Sequence, residues 1–224
     1  MSRDDHHDDG HPAPPAAPLL QADKLFFRHP ARPGVMLFDG FCLDLQAGVS
    51  WLSGDEGSGK TTLLQLLAGS LPATGPQGQL RVRGISLADD RLAYRQQVAW
   101  FAPRDTAQDD QTARQVFARL PALHPGWDLN ALASHIEGLS LSPHLDKALY
   151  MMSTGTRRKV LLATALAANS TVTLLDQPFM ALDRPSIDYL LELLAKAAQE
   201  TDRAWLVADY EAPGQIALAG VIRL

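Results

Sequence analysis

The stretch Gly54 to Thr61, GDEGSGKT, fits the spacing GxxxxGK[ST] and lies between an apolar run, VSWLS, and a leucine-rich run, KTTLLQLLAGS. The motif requires that context, because a strand must deliver the loop and a helix must leave it. Its glycines let backbone amides curl around a phosphate group. Lys60 supplies a cation for the β and γ oxygens, and the Thr61 hydroxyl can ligate Mg²⁺. The whole turn, Gly54, Asp55, Glu56, Gly57, Ser58, Gly59, Lys60, Thr61 and Thr62, is the expected nucleotide-binding loop. Leu63, Leu64 and Leu67 fall at helical spacing after it, and Gly69 can end that helix.

The flanking segments fix the fold class. From Leu19 to Ala47 short apolar runs alternate and break at HPARPG and FDG, as strands of an antiparallel sheet do. QLRVRG reads as a further strand, at a sheet edge. Residues 109–150 have mixed helical periodicity broken at Pro121, Pro125 and Gly126. In the last third, RRKVLLATALAAN and PSIDYLLELLAKAAQ read as helices, TVTLLD and AWLVAD as fully buried strands, and AGVIRL as a closing strand. Buried strands alternating with helices imply a parallel sheet covered on both faces. The expected fold is α/β: a P-loop NTPase core with a mostly parallel sheet, an N-terminal antiparallel β subdomain and an inserted helical subdomain over about 105–158.

With 224 residues and 46% hydrophobic content the chain can bury a substantial core. Residues 1–18 carry four Asp against one Arg, four Pro and almost no large apolar side chains, so they read as a disordered acidic tail before a domain at 19–224. His6, His7 and His11 in that tail are expected to be solvated rather than metal-bound. No apolar run of 18 or more residues appears and the N-terminus is acidic, so a cytoplasmic location is expected. The lone Cys42, among apolar neighbours, is expected to be a small buried hydrophobe. The net charge of -5 argues against a nucleic-acid partner.

The stretch Met152 to Asp183, MSTGTRRKVLLATALAANSTVTLLDQPFMALD, resembles the signature helix, Walker B strand and D-loop of ABC transporter ATPases. The positions that carry the resemblance are Ser153, Gly155, Arg157, Arg158, Lys159, Asp176, Pro178, Ala181, Leu182 and Asp183. The resemblance covers about Leu19 to Leu224 and implies the ABC ATPase architecture. It also implies a nucleotide-binding subunit that dimerises head to tail, with ATP between one chain's P-loop and the other's Ser153 and Gly155. Thr61 and Asp176 would hold Mg²⁺. The partners implied are a membrane-spanning transporter subunit in trans and a second ATPase subunit, in a homodimer or a heterodimer. Arg157 and Arg158 are read as an ordinary solvated helix face.

Departures from the family pattern gather where the γ-phosphate would lie. Gln177 occupies the position of the glutamate that polarises the attacking water, and an amide cannot accept that proton. Arg104 falls at the Q-loop glutamine and Asp209 at the switch histidine. Thr154 and Thr156 replace a glycine and the glutamine of the signature. His29 stands at the aromatic residue that stacks on adenine, with Phe27 as the alternative. Arg104 and Asp209 are expected to face each other as an ion pair.

The function expected from the resemblance is the ATP-binding subunit of an ABC membrane transporter with weak or conditional ATP hydrolysis. The alternatives are a non-hydrolysing, ATP-gated regulatory or interaction module and, last, a soluble ABC protein acting on ribosomes or DNA. DQPFMALD resembles short exporter subunits, including the haem-exporter type of cytochrome c maturation.

Overall fold

The structure, a computed structural model, describes residues 17–29, 34–73 and 78–224. The acidic tail therefore lies outside the described residues, apart from Ala17 and Pro18. Strands β1 (Leu20–Arg28), β2 (Met36–Leu45) and β3 (Gly48–Ser53) precede helix α1 (Lys60–Leu67). Strands β4 (Gln79–Val82) and β5 (Ile85–Ser86), helix α2 (Arg91–Gln96) and strand β6 (Val98–Phe101) follow. Helices α3 (Ala113–Arg119) and α4 (Leu129–Gly138) come next, then α5 (Thr154–Ala167), β7 (Val172–Asp176), α6 (Arg184–Ala197), β8 (Ala204–Ala208) and β9 (Leu218–Arg223).

Two sheets result. The parallel one has the order β6-β7-β8-β3-β9, and the antiparallel one β2-β1-β4-β5. The α/β fold with a parallel and an antiparallel sheet is thus the one expected. One detail differs: β4 is not the edge, because the two-residue strand β5 pairs with Val82 and Arg81 beyond it. An Ile-Ser pair after a tight turn is too short to show as a strand in a period-two pattern.

Side-chain alternation divides the core. Val49, Trp51, Leu175, Trp205 and Val207 face the layer of α3 to α6, while Leu52, Leu174 and Leu206 face α1 and the antiparallel sheet. Burial on both faces explains why β3, β7 and β8 are almost unbroken apolar runs. The helical segment shares the first of these cores: Val116, Phe117, Leu132 and Leu149 pack in one cluster with Trp51 and Trp205. Helix α1 buries Leu63, Leu64, Leu66 and Leu67 and ends where expected, with Gly69 at φ 64° just past it.

This topology sets the site. The loop after β3, Asp176 at the end of β7 and Asp209 just after β8 all lie at the carboxyl edge of three adjacent parallel strands. Crevices at that edge are where open α/β sheets bind ligands.

Candidate functional site

The turn between β3 and α1 is the expected phosphate loop in form. Gly59 takes φ 104° as the residue before the helix, and no side chain caps the first turn of α1. The φ of Gly59 favours glycine, and a Cβ there would crowd the Leu37 side chain at 3.1 Å. The uncapped amides at the start of α1 leave donors for an anion. Asp55, Glu56 and Gly57 form the exposed outer part of the turn, and the Ser58 hydroxyl is buried without a hydrogen-bond partner.

Lys60 is buried, and its ammonium donates to the carbonyls of Gly54 and Asp55 (2.9 Å for Asp55). The Tyr210 ring stands over it at 5.6 Å. Thr61 Oγ1 donates to Asp176 Oδ2 at 2.8 Å, bringing together residues 115 positions apart. Thr62, half-buried in the same turn of α1, completes the segment. An orphan hydroxyl, an uncapped helix start, a buried cation and a hydroxyl on a carboxylate suit a magnesium-bound phosphate chain.

The electrostatics of this corner differ from the sequence expectation. Burial raises the Asp176 carboxyl above its ordinary range, opposed by the Thr61 hydrogen bond and the charges of Arg104, Arg158 and Lys60. Burial also raises Asp209, helped by the charge of Asp176 and opposed by the Tyr210 N–H, Lys60 and Arg158. The shift moves Asp209 towards its neutral form, the only form in which it can donate. No ion pair joins Arg104 to Asp209 among the described residues. The expected pair fails because Asp209 Oδ1 turns to its own loop and accepts from Tyr210 N–H at 2.9 Å, while the exposed Arg104 bears on Asp176.

Gln177 follows β7 in the left-handed region, φ 48°. Its N–H donates to the Ala208 carbonyl at 2.8 Å, and its own carbonyl accepts from Arg158. Ser153 is the N-cap of α5, with Oγ accepting from Thr156 N–H at 3.1 Å and sharing a hydrogen bond with the Thr156 hydroxyl. Gly155 is explained within its own chain: a Cβ there would lie 2.5 Å from the Ala181 carbonyl oxygen. His29 is exposed just after β1, its ring edge-on to Phe27 at 6.4 Å. Phe27 is 1% exposed and packs in the core, so of the two only His29 has a face open to solvent.

Two further expectations are corrected. Arg157 pairs with Asp109 at 2.7 Å and donates to the carbonyls of Pro103 and Asp105, and Arg158 is only 6% exposed, stacked 5.3 Å from the Phe101 ring. Neither belongs to a solvated face. The signal lay in RRK itself, since cations near the positive end of a helix gain nothing from its dipole and need partners elsewhere. Cys42 is exposed, not buried, on the outer face of the antiparallel sheet, where the strand alternates and its neighbours Phe41 and Leu43 turn inward. It lines a depression of about 500 Å³ with Gln21, Asp23, Asp44, Gln79 and Arg81, which contains none of the phosphate-loop residues.

Residues 39–180, most of the chain, match the family described as ABC transporter. The chain belongs to the ABC transporter family. Among curated relatives, the cytochrome c biogenesis ATP-binding export protein CcmA of Pseudomonas syringae pv. syringae (strain B728a) is 34% identical over 185 residues, which cover 81% of this chain and 84% of that protein. Among solved structures, an ATP-binding subunit of an ABC transporter superposes with a TM-score of 0.74 at 20% identity, covering 86% of this chain and 79% of that one. A putative ABC transporter ATP-binding protein from Pyrococcus furiosus gives 0.70 at 19% identity, covering 92% and 96%. This ABC transporter family member therefore shares the fold of those subunits along nearly its whole described length. No helix among its described residues is long and apolar enough to cross a membrane.

Proposed function

We propose that the chain is the ATP-binding subunit of an ABC membrane transporter, of the export type named for its cytochrome c biogenesis relatives, and that it hydrolyses ATP slowly. The observation that carries the reading is the 2.8 Å contact of Thr61 with Asp176 beside the buried Lys60. Thr61 and Asp176 would hold Mg²⁺, which when bound neutralises charge on the β and γ phosphates. Lys60 and the amides at the start of α1 bind the phosphates, and His29 stacks on the base. The subunit works at the cytoplasmic face against a membrane-spanning chain in trans. Ser153 and Gly155 complete the site of a second ATPase subunit, identical or related, when ATP closes the dimer.

Turnover is slow because Gln177 can orient a water molecule but cannot take its proton. The same replacement favours a second reading, a non-hydrolysing module gated by ATP binding. Phosphate release at saturating Mg-ATP, measured with and without the membrane partner, separates the two. The transporter reading expects slow release, about 10² to 10⁴ below a site with a general base, that the partner accelerates. Release that the partner leaves at zero supports the gated module, and fast release by the chain alone overturns the slow-hydrolysis reading.

A further inference from the structure

Arg158 touches the site only through the Gln177 carbonyl and its charge, yet its surroundings are unusual for an arginine. It is 94% enclosed by protein, counting from its 6% exposure, and it is held in the second turn of α5. Its guanidinium stacks on Phe101 at the end of β6, donates to the Gln177 carbonyl just after β7, and leaves Nε buried without a partner. A buried cation is retained at a cost unless its geometry is needed, since an apolar side chain of similar length would pack there without desolvation.

What the geometry secures is the turn after β7. Gln177 occupies the left-handed region, which a non-glycine residue holds only when neighbours restrain it. Three restraints are present. The Gln177 N–H is tied to Ala208 on β8, and its carbonyl accepts from Met180 N–H within the turn and from Arg158 on α5. Only the last comes from the helix that carries Ser153 and Gly155. The charge of Arg158 also bears on both Asp176 and Asp209.

We infer that Arg158 is a positioning residue: through the Gln177 carbonyl it fixes the turn at the γ-phosphate end of the site and ties that turn to the signature helix. The inference rests on the nucleotide-binding reading above. It predicts an effect centred on the third phosphate, because the phosphate loop and the base contact lie on β3, α1 and β1, whereas Arg158 bonds the turn after β7.

The test is binding of Mg-ADP and of a non-hydrolysable Mg-ATP analogue to the full chain, wild type against Arg158→Met and Arg158→Lys, by calorimetry. Methionine keeps the packing on Phe101 and removes the donor; lysine keeps the charge and one donor but not the flat stacking face. The expected result is an analogue affinity weakened about tenfold more than the ADP affinity in Arg158→Met, the scale of one charge-assisted hydrogen bond, and less in Arg158→Lys. An unchanged ratio of the two affinities overturns the inference, as does equal weakening of both nucleotides, which would mark a merely structural residue. Should Arg158→Met fail to bind ADP through misfolding, the ratio in Arg158→Lys decides in the same way. Wild type that binds neither nucleotide overturns the functional reading itself, and the inference with it.

Discussion

In the proposed function Gln177 is a residue placed for one chemistry that lacks the atom to perform it. Its backbone is pinned just after β7, next to Asp176. Restoring a carboxylate there adds a third acid to a corner that already holds Asp176 and Asp209, both raised chiefly by burial. Gln177→Glu alone is therefore expected to raise ATP turnover by less than about tenfold, short of the 10² to 10⁴ a general base can supply. Combined with Asp209→His and Arg104→Gln, the gain should exceed the product of the single effects, because residues that act on one transition state couple. Steady-state phosphate release by the single and triple variants checks this, and full recovery by Gln177→Glu alone contradicts it.

At the scale of elements, the contact between α4 and α6 carries a pH dependence. His135 of α4 is 7% exposed and shares a 2.6 Å hydrogen bond with the Tyr189 hydroxyl of α6, which its neutral ring can accept at Nδ1. Burial, then the charge of Arg203, lowers its pKa to about 4 from an ordinary 6.5, against a smaller opposing effect of Asp128. The unfolded chain takes up this proton below about pH 6.5 and the folded chain only near 4. Stability present above 6.5 is thus lost as the pH falls through that window, by up to about 3 kcal/mol. Asp183, lowered to about 2 by its hydrogen bond from Lys159 and by its capping of Ser186, loses its contribution only at still lower pH. Urea midpoints of wild type and His135→Gln at pH 7 and pH 5 separate these effects. The wild type should lose stability between the two and the variant much less; equal slopes would contradict the assignment.

Elements also show where sequence reading works. Fully buried strands and the strand-loop-helix around Lys60 are periodic or motif-bound, so β3, α1, β7 and β8 were legible, as was the meeting of Thr61 with Asp176. What was not legible depended on direction. Cys42 sits in an apolar string, yet alternation turns it outward. Arg158 reads as surface because its partners are distant in sequence: Phe101 ends β6 and Gln177 lies in the turn after β7. The Arg104 to Asp209 pair failed because a local backbone donor reaches Asp209 first.

For the whole molecule, the parallel order β6-β7-β8-β3-β9 gathers Lys60, Thr61, Asp176 and Asp209 at one edge from segments spread over 150 positions. The proposed capture of phosphates and Mg²⁺ belongs to that edge, and Lys60 is the one basic residue of the loop from Gly54 to Thr62. The measurement that tests the account most directly is therefore a calorimetric titration of Mg-ATP into wild type and Lys60→Ala, with far-UV circular dichroism to show that both are folded. Saturable binding is expected of wild type, with a loss of about tenfold or more in affinity in the variant, the scale of a charged contact made to phosphate. Equal affinity in two folded proteins would contradict it.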